Sequence, residues 1–168
     1  TGLMMARLCY DLLMEKGRAA LSAVERHEVT PGLEDVVEAT IYLSGLGFEN
    51  GGLAAAHAIN DGFAQEPQAH GMYHGEKVAF GTLTQLVLEK APQEELEQVL
   101  SFLKDTGLPM TLAQLGVAEV VPETLHKVAE AACVPTQSTK NLRADITAQE
   151  VYDAILEADS QGREWLAR

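Results

Sequence analysis

The sequence contains little of what marks several large classes of protein. Its two cysteines, Cys9 and Cys133, lie far apart and outside any CxxC spacing, which argues against a disulfide framework or a thiolate zinc site and fits a reducing cytoplasm. Lysine and arginine total 12 against 25 acidic residues, and they form no basic run. The net charge of −13 therefore argues against nucleic acid or an anionic membrane as a partner. No apolar run reaches the ~18 residues of a membrane-spanning helix.

Nucleotide and nucleophile motifs are also absent. The chain has no GxGxxG turn, no GxxxxGK[ST] loop and no GxSxG elbow, so it carries no fingerprint of dinucleotide binding, of a phosphate loop or of a serine hydrolase. It starts at Thr1, without an initiating methionine, and enters an apolar helical pattern almost at once. We interpret this start as a cut inside a larger protein or at a domain edge.

Helical periodicity dominates what is present. Thr30-Pro31 predicts a helix start, because threonine can cap and proline suits the first helical position. Thr147 with Glu150 three residues later matches a capping box. No segment has the alternating pattern of a strand. We therefore predict an all-α protein, with a single domain over residues 1–168 built of about eight helices in an antiparallel, bundle-like arrangement.

Glycine positions predict where some of these helices stop. Gly17 is expected to end or interrupt the first helix, with a second short helix over residues 19–25. Four glycines within residues 44–52 are expected to loosen or break a later helix. Residues 136–145 are polar and are expected to be irregular.

Two of the five histidines are candidate metal ligands. His57 is expected in the middle of an apolar helix, and His74 at the start of the next. Taken singly, the first would more often be a hydrogen-bonded core histidine and the second a helix-start residue. A helix-loop-helix of this length can bring both rings to one cleft, where two imidazoles suit zinc or ferrous iron. A catalytic zinc site takes three protein ligands, so two histidines alone are too few.

His70 competes for the place of a third ligand. It lies four residues before His74 and would share its helical face if the helix extended back, but Gly71 argues against that extension. We therefore predict that His70 is a loop residue near the site. His27 and His126 have polar neighbours and are predicted to be solvated.

Two longer runs resemble the bacterial NAD-dependent glycerol dehydrogenases of the iron-containing alcohol dehydrogenase superfamily. They are YLSGLGFENGGLAAAHA over residues 42–58 and YHGEKVAFGTLTQL over residues 73–86. The resemblance extends over essentially the whole chain. It implies the all-helical C-terminal domain of the dehydroquinate synthase-like fold, without the N-terminal α/β domain that binds NAD in this family.

The resemblance also implies the site residues. The family holds one divalent metal, zinc in the glycerol enzymes, with one aspartate and two histidines. The two histidines fall on His57 and His74, and the aspartate belongs to a segment before Thr1. A phenylalanine beside the glycerol site falls on Phe48. Many iron-type members carry a further histidine where this chain has Asp61, which favours the glycerol branch.

The activity implied is oxidation of glycerol to dihydroxyacetone with NAD, by a cytoplasmic homo-oligomer. The metal would lower the pKa of a glycerol hydroxyl, and the nicotinamide would take the hydride. This chain by itself is expected to be inactive. Two alternatives stay open: a stand-alone helical binding or scaffold module with structural histidines, and a related dehydrogenase acting on another diol or alcohol.

Overall fold

The computed structural model describes all residues from Thr1 to Arg168 and consists of helices joined by turns, with no strand. Contacts between residues divide the chain into two compact units, which we call unit 1 (Thr1–Gly52) and unit 2 (Leu53–Arg168). The all-α prediction is confirmed, whereas the single domain over residues 1–168 stays a prediction. None of the helices combines the length and apolar character that crossing a membrane requires.

Unit 1 is built around one long helix. The helices here are α1 (Gly2–Glu25), α2 (Pro31–Glu38) and α3 (Ser44–Gly51), with a π-helical turn at Ala39–Leu43 joining the last two. Helix α1 packs against all three of the segments that follow it. The Lys16 ammonium, 2.5 Å from the Asp35 carboxylate, ties α1 to α2.

Unit 2 contains the remaining six helices and a larger core. They are α4 (Ala55–Gly62), α5 (His74–Glu89), α6 (Gln93–Thr106), α7 (Pro122–Ala132), α8 (Thr139–Leu142) and α9 (Ala148–Leu166). Short 3-10 turns at Phe63–Gln65 and Pro67–Ala69 follow α4. Helix α4 packs on α5 and α7, and α9 packs on both α5 and α7. Phe63 and Phe80 meet edge to face in this core, with ring centroids 6.0 Å apart.

Most of the predicted helix boundaries are confirmed. The Thr30 hydroxyl accepts a hydrogen bond from the Leu33 N–H, and Pro31 is the first residue of α2. Thr147 and Glu150 form the expected reciprocal capping box at the start of α9. His74 is the first residue of α5. The caps at Thr30 and Thr147 are each completed by residues within three positions along the chain, so these two starts could be predicted from neighbouring residues.

One prediction about helix interruptions is wrong, and two are confirmed in part. Helix α1 runs without a break through Gly17, which is buried within it, so there is no separate helix over residues 19–25. Most of the glycine-rich segment is helical, as α3 over Ser44–Gly51, and the expected break comes at Gly52, whose φ of 76° lies in the left-handed region. The polar segment 136–145 is irregular as expected, except for the four-residue helix α8. A glycine inside a helix costs about 1 kcal/mol relative to alanine, which tertiary packing can outweigh.

Candidate metal centre

The two predicted ligands lie at the beginnings of two helices that pack against each other. His74 is the first residue of α5, and His57 is the third residue of α4, because the chain remains non-helical up to Ala54. The expectation that His57 lies in the middle of a helix is therefore wrong. Both candidate ligands are thus residues of a first helical turn, where the helix dipole contributes a partial positive charge.

The structure brings the two imidazoles together. The ring centroids of His57 and His74 are 5.5 Å apart, and the ring planes are tilted by 46°. Two histidines that share a tetrahedral zinc through bonds of about 2.0–2.1 Å have centroids roughly 5 Å apart. The spacing of the pair therefore fits a shared divalent ion, with modest side-chain adjustment.

The electrostatics of the pair also suit a metal. Partial burial lowers the pKa of His57 below its usual range, the positive charge of His74 lowers it further, and Asp61 opposes both effects. His57 is half-buried, whereas His74 is exposed. A metal ligand must be a neutral imidazole, so the lowered pKa of His57 keeps it in the form that binds.

Close packing of α4 on α5 holds the pair in place. A Cβ atom built on Gly81 of α5 would lie 2.4 Å from the carbonyl oxygen of Ala56, the residue before His57. Only glycine allows this approach of the two backbones. Four residues further along α5, the Gln85 side-chain oxygen accepts a hydrogen bond of 3.0 Å from the Ala56 N–H.

Helix α8 and its flanks fix the backbone that leads into α4. The Ser138 hydroxyl donates to the carbonyl oxygen of Ala54 at 2.7 Å, and the Asn141 amide donates to that of Leu53 at 2.8 Å. The segment before His57 is therefore hydrogen-bonded from a part of the chain more than eighty residues later. Sequence reasoning missed this support, because residues 136–145 have no helical pattern of their own.

Asp61 lies one turn after His57 and has partners outside the pair. Its carboxylate accepts hydrogen bonds from the side-chain amides of Asn60 at 3.0 Å and Gln137 at 3.2 Å. No three His, Cys, Asp or Glu residues of this chain lie close enough together to hold a metal ion. No third residue of these types therefore lies with His57 and His74 in a group that could hold a metal ion.

The other residues considered from the sequence have surroundings of their own. The His70 Nε2 atom is 3.0 Å from the carbonyl oxygen of Ala64, so this ring is hydrogen-bonded to the backbone of its own loop. His126 stacks on Tyr152, with ring centroids 3.9 Å apart. Phe48 belongs to unit 1, on α3, and its side chain is exposed.

Sequence reasoning missed Gly81 and Gln85. The signal available was that they follow His74 by seven and eleven residues, on one face of a helix.

Comparisons of sequence and of structure both find glycerol dehydrogenases as relatives of this chain. No protein-family model matches the chain. The glycerol dehydrogenase of Escherichia coli O6:H1 is 54% identical over 98% of this chain, which spans 45% of that protein. The crystal structure of a probable glycerol dehydrogenase from Sinorhizobium meliloti 1021 superimposes with a TM-score of 0.93 and 45% identity, covering 97% of this chain and 46% of that one. The glycerol dehydrogenase structure from Schizosaccharomyces pombe gives a TM-score of 0.94 and 41% identity, over 99% of this chain and 42% of that one.

The chain thus spans less than half the length of the relatives it matches, and it corresponds to their helical part. The chain is a homologue of the C-terminal, all-helical domain of the glycerol dehydrogenases.

Proposed function

We propose that this chain is the metal- and substrate-binding part of an NAD-dependent glycerol dehydrogenase that oxidises glycerol to dihydroxyacetone. His57 and His74 would hold one divalent ion, zinc, together with an aspartate from a part of the protein outside these 168 residues. NAD would be bound mainly by an N-terminal nucleotide-binding domain, also outside them. The observation that carries the proposal is the pairing of the two rings, 5.5 Å apart, in a chain homologous to glycerol dehydrogenases.

The chain's own residues would prepare the substrate for loss of a hydride. A zinc ion at the pair would act as a Lewis acid that lowers the pKa of a glycerol hydroxyl. His57 and His74 would hold that ion from the first turns of α4 and α5, where each helix dipole contributes a partial positive charge. NAD⁺, when bound, would supply the hydride acceptor, so that loss of the hydroxyl proton to water and of a hydride from the central carbon would give dihydroxyacetone, NADH and H⁺.

Unit 1 would contribute Phe48 beside the glycerol and an apolar surface for partners. Phe48 is 48% exposed, and Ile41 and Tyr42 are more exposed still. Large exposed apolar patches mark interaction surfaces. We propose that this surface serves the contact with the nucleotide-binding domain or the assembly of a cytoplasmic homo-oligomer. The isolated 168-residue chain is expected to form no NADH from glycerol, because it supplies neither the third ligand nor the nucleotide domain.

Substitution of the pair in the complete protein tests the proposal. His57→Ala or His74→Ala is expected to remove bound zinc and to abolish glycerol oxidation, while the Kd for NAD changes little because the nucleotide lies on the other domain. Zinc content is measured by mass spectrometry, turnover by NADH absorbance and nucleotide binding by calorimetry. A kcat within about tenfold of the unsubstituted protein, ~1.4 kcal/mol in the barrier, would show that the assignment is wrong.

His27→Asn is the matched control. His27 is exposed and has a φ of 56°, a conformation that asparagine tolerates better than most residues. This variant is expected to keep its zinc and its turnover. If all three variants bound zinc equally, the histidines of the pair would serve only the fold, as the scaffold alternative requires.

A further inference from the structure

We infer that Gln85 is a positioning residue for the metal-binding pair: it caps the start of α4 from the neighbouring helix and so fixes His57 against His74. This inference rests on the proposed function for its consequence at the metal. The hydrogen bond that carries it is independent of any metal.

The first turn of α4 has no cap of its own. Ala54 is the residue before the helix, and its side chain cannot accept a hydrogen bond. The first N–H groups of a helix have no intrahelical partner and must find one elsewhere. The Gln85 Oε1 atom accepts from the second of them, the Ala56 N–H, at 3.0 Å. Gln85 thus does from α5 what a serine or aspartate normally does from the residue before a helix.

The orientation of the Gln85 amide is fixed at its other end. Its Nε2 atom donates to the Glu89 carboxylate at 2.7 Å, within α5. A carboxylate only accepts, so the nitrogen must face Glu89 and the oxygen must face Ala56. Glu89 therefore holds Gln85 in the one orientation that caps α4.

The capped residue lies next to the ligand, and the capping residue lies on the ligand's helix. Ala56 precedes His57 directly. Gln85 shares one face of α5 with His74 and Gly81, since the three are separated by seven and four residues. A shift of α4 along α5 would break the Gln85 hydrogen bond and would change the separation of the two rings. Since metal–ligand distances must hold to about 0.2 Å, this link matters to binding although Gln85 need not touch the metal.

Three variants of the complete protein test the inference. Gln85→Met keeps the length and helix propensity of the side chain and removes the acceptor. The double variant Gln85→Glu/Glu89→Gln exchanges the two groups, keeps the net charge and restores an acceptor opposite Ala56 with a donor beside it. Glu89→Ala removes only the outer partner. The readouts are zinc Kd, the absorption spectrum of the cobalt-substituted protein, and hydrogen exchange of the Ala56 amide without metal.

Gln85→Met is expected to weaken zinc binding about tenfold or more, as loss of a supporting partner of a ligand commonly does. The same variant should shift the cobalt spectrum and speed exchange at Ala56. The double variant Gln85→Glu/Glu89→Gln should return the zinc Kd and the Ala56 exchange rate to within about threefold of the unsubstituted protein and should restore the cobalt spectrum. Glu89→Ala should give values between those of Gln85→Met and the unsubstituted protein. Restoration by the exchanged pair separates positioning from a general loss of stability.

Unchanged exchange at Ala56 in Gln85→Met would overturn the capping role, and a zinc Kd within twofold would overturn the link to the metal. The inference would also be overturned if Gln85→Glu/Glu89→Gln failed to restore zinc binding and Ala56 exchange while its melting temperature matched that of the unsubstituted protein. The proposed function fails on a different result, namely full zinc binding by His57→Ala, which leaves the Ala56 exchange measurement valid.

Discussion

Unit 1 and unit 2 bury their apolar residues in very different ways. The largest fully buried side chains, among them Phe63, Phe80 and Ile155, all belong to unit 2. The buried apolar residues of unit 1 are small: Cys9, Ala20, Ala23 and Ala39. Its large apolar side chains are instead mostly exposed, including Leu3, Met4, Leu8, Val24, Val29, Val37, Ile41, Tyr42, Leu46 and Phe48.

The difference shows that an apolar helical face does not by itself build a core. Helix α2 has a pronounced apolar face, yet none of its residues is fully buried. Helices α7 and α9 have comparable faces, and each buries several residues of its face in the core of unit 2, whereas α2 packs on α1 without burying any residue fully. His57 and His74 therefore belong to the unit with the large buried core, whereas unit 1 has many exposed apolar side chains.

Truncation of one phenylalanine in each unit gives the largest expected contrast. Phe63→Ala in unit 2 should lower the free energy of unfolding by about 3–5 kcal/mol, because the ring is fully buried and leaves a cavity. Phe48→Ala in unit 1 should lower it by less than about 1 kcal/mol, since about half of that side chain already meets solvent. Urea denaturation followed by circular dichroism measures both. Equal losses would contradict the contrast between the units.

Glycine-to-alanine substitutions in two helices should give an intermediate contrast. A Cβ atom at Gly162 of α9 would lie 2.0 Å from the Met110 carbonyl oxygen, so Gly162→Ala should destabilise unit 2 by about 1–3 kcal/mol through overpacking. Nothing lies within 4 Å of a Cβ atom at Gly45 of α3, where alanine should stabilise by up to about 1 kcal/mol through helix propensity. Melting curves of the two variants should shift in opposite directions, and a shift of the same sign would refute this.

The smallest expected effect is electrostatic and lies at the pair in unit 2. Burial and the charge of His74 lower the pKa of His57, so in metal-free protein the unfolded state takes up this proton first as the pH falls. The contribution of His57 to stability is therefore present above its usual pKa of about 6.5 and is lost as the pH falls through the lower folded value. His57→Asn should remove this slope, as measured by denaturation between pH 7 and pH 5.

Two variants report on the causes of the shift. His74→Ala should raise the pKa of His57, because it removes a nearby positive charge, and Asp61→Asn should lower it further, because it removes the opposing negative charge. The ring-proton resonances of His57, followed by nuclear magnetic resonance, give the midpoints. If both variants shifted the pKa of His57 in the same direction, the charges of His74 and Asp61 would not act on this ring as described.

The candidate site was predictable from the sequence only in part. The choice of His57 and His74 came from the resemblance of two long runs, and the structure brings those rings together. The support of the pair was not predictable, because it comes from single side chains on remote segments, such as Gln85 and Asn141. A hydrogen bond across more than eighty residues leaves no periodic signal in the chain.

Some helix boundaries were predictable from neighbouring residues, and others depended on packing. The starts of α2 and α9 follow from Thr30-Pro31 and from Thr147 with Glu150, because each cap is completed within four residues and needs no other part of the chain. The passage of α1 through Gly17 was decided by packing, which outweighs a local penalty of about 1 kcal/mol.

The sequence alone determined the helical class, the local caps and the identity of the two histidines, since these depend on periodicity, neighbouring residues and family resemblance. Only the tertiary structure decided that His57 begins a helix, that its ring meets that of His74, and that apolar faces are buried in unit 2 and exposed in unit 1. These features depend on which helices pack against each other, and that choice is made by the sum of many weak contacts between distant segments.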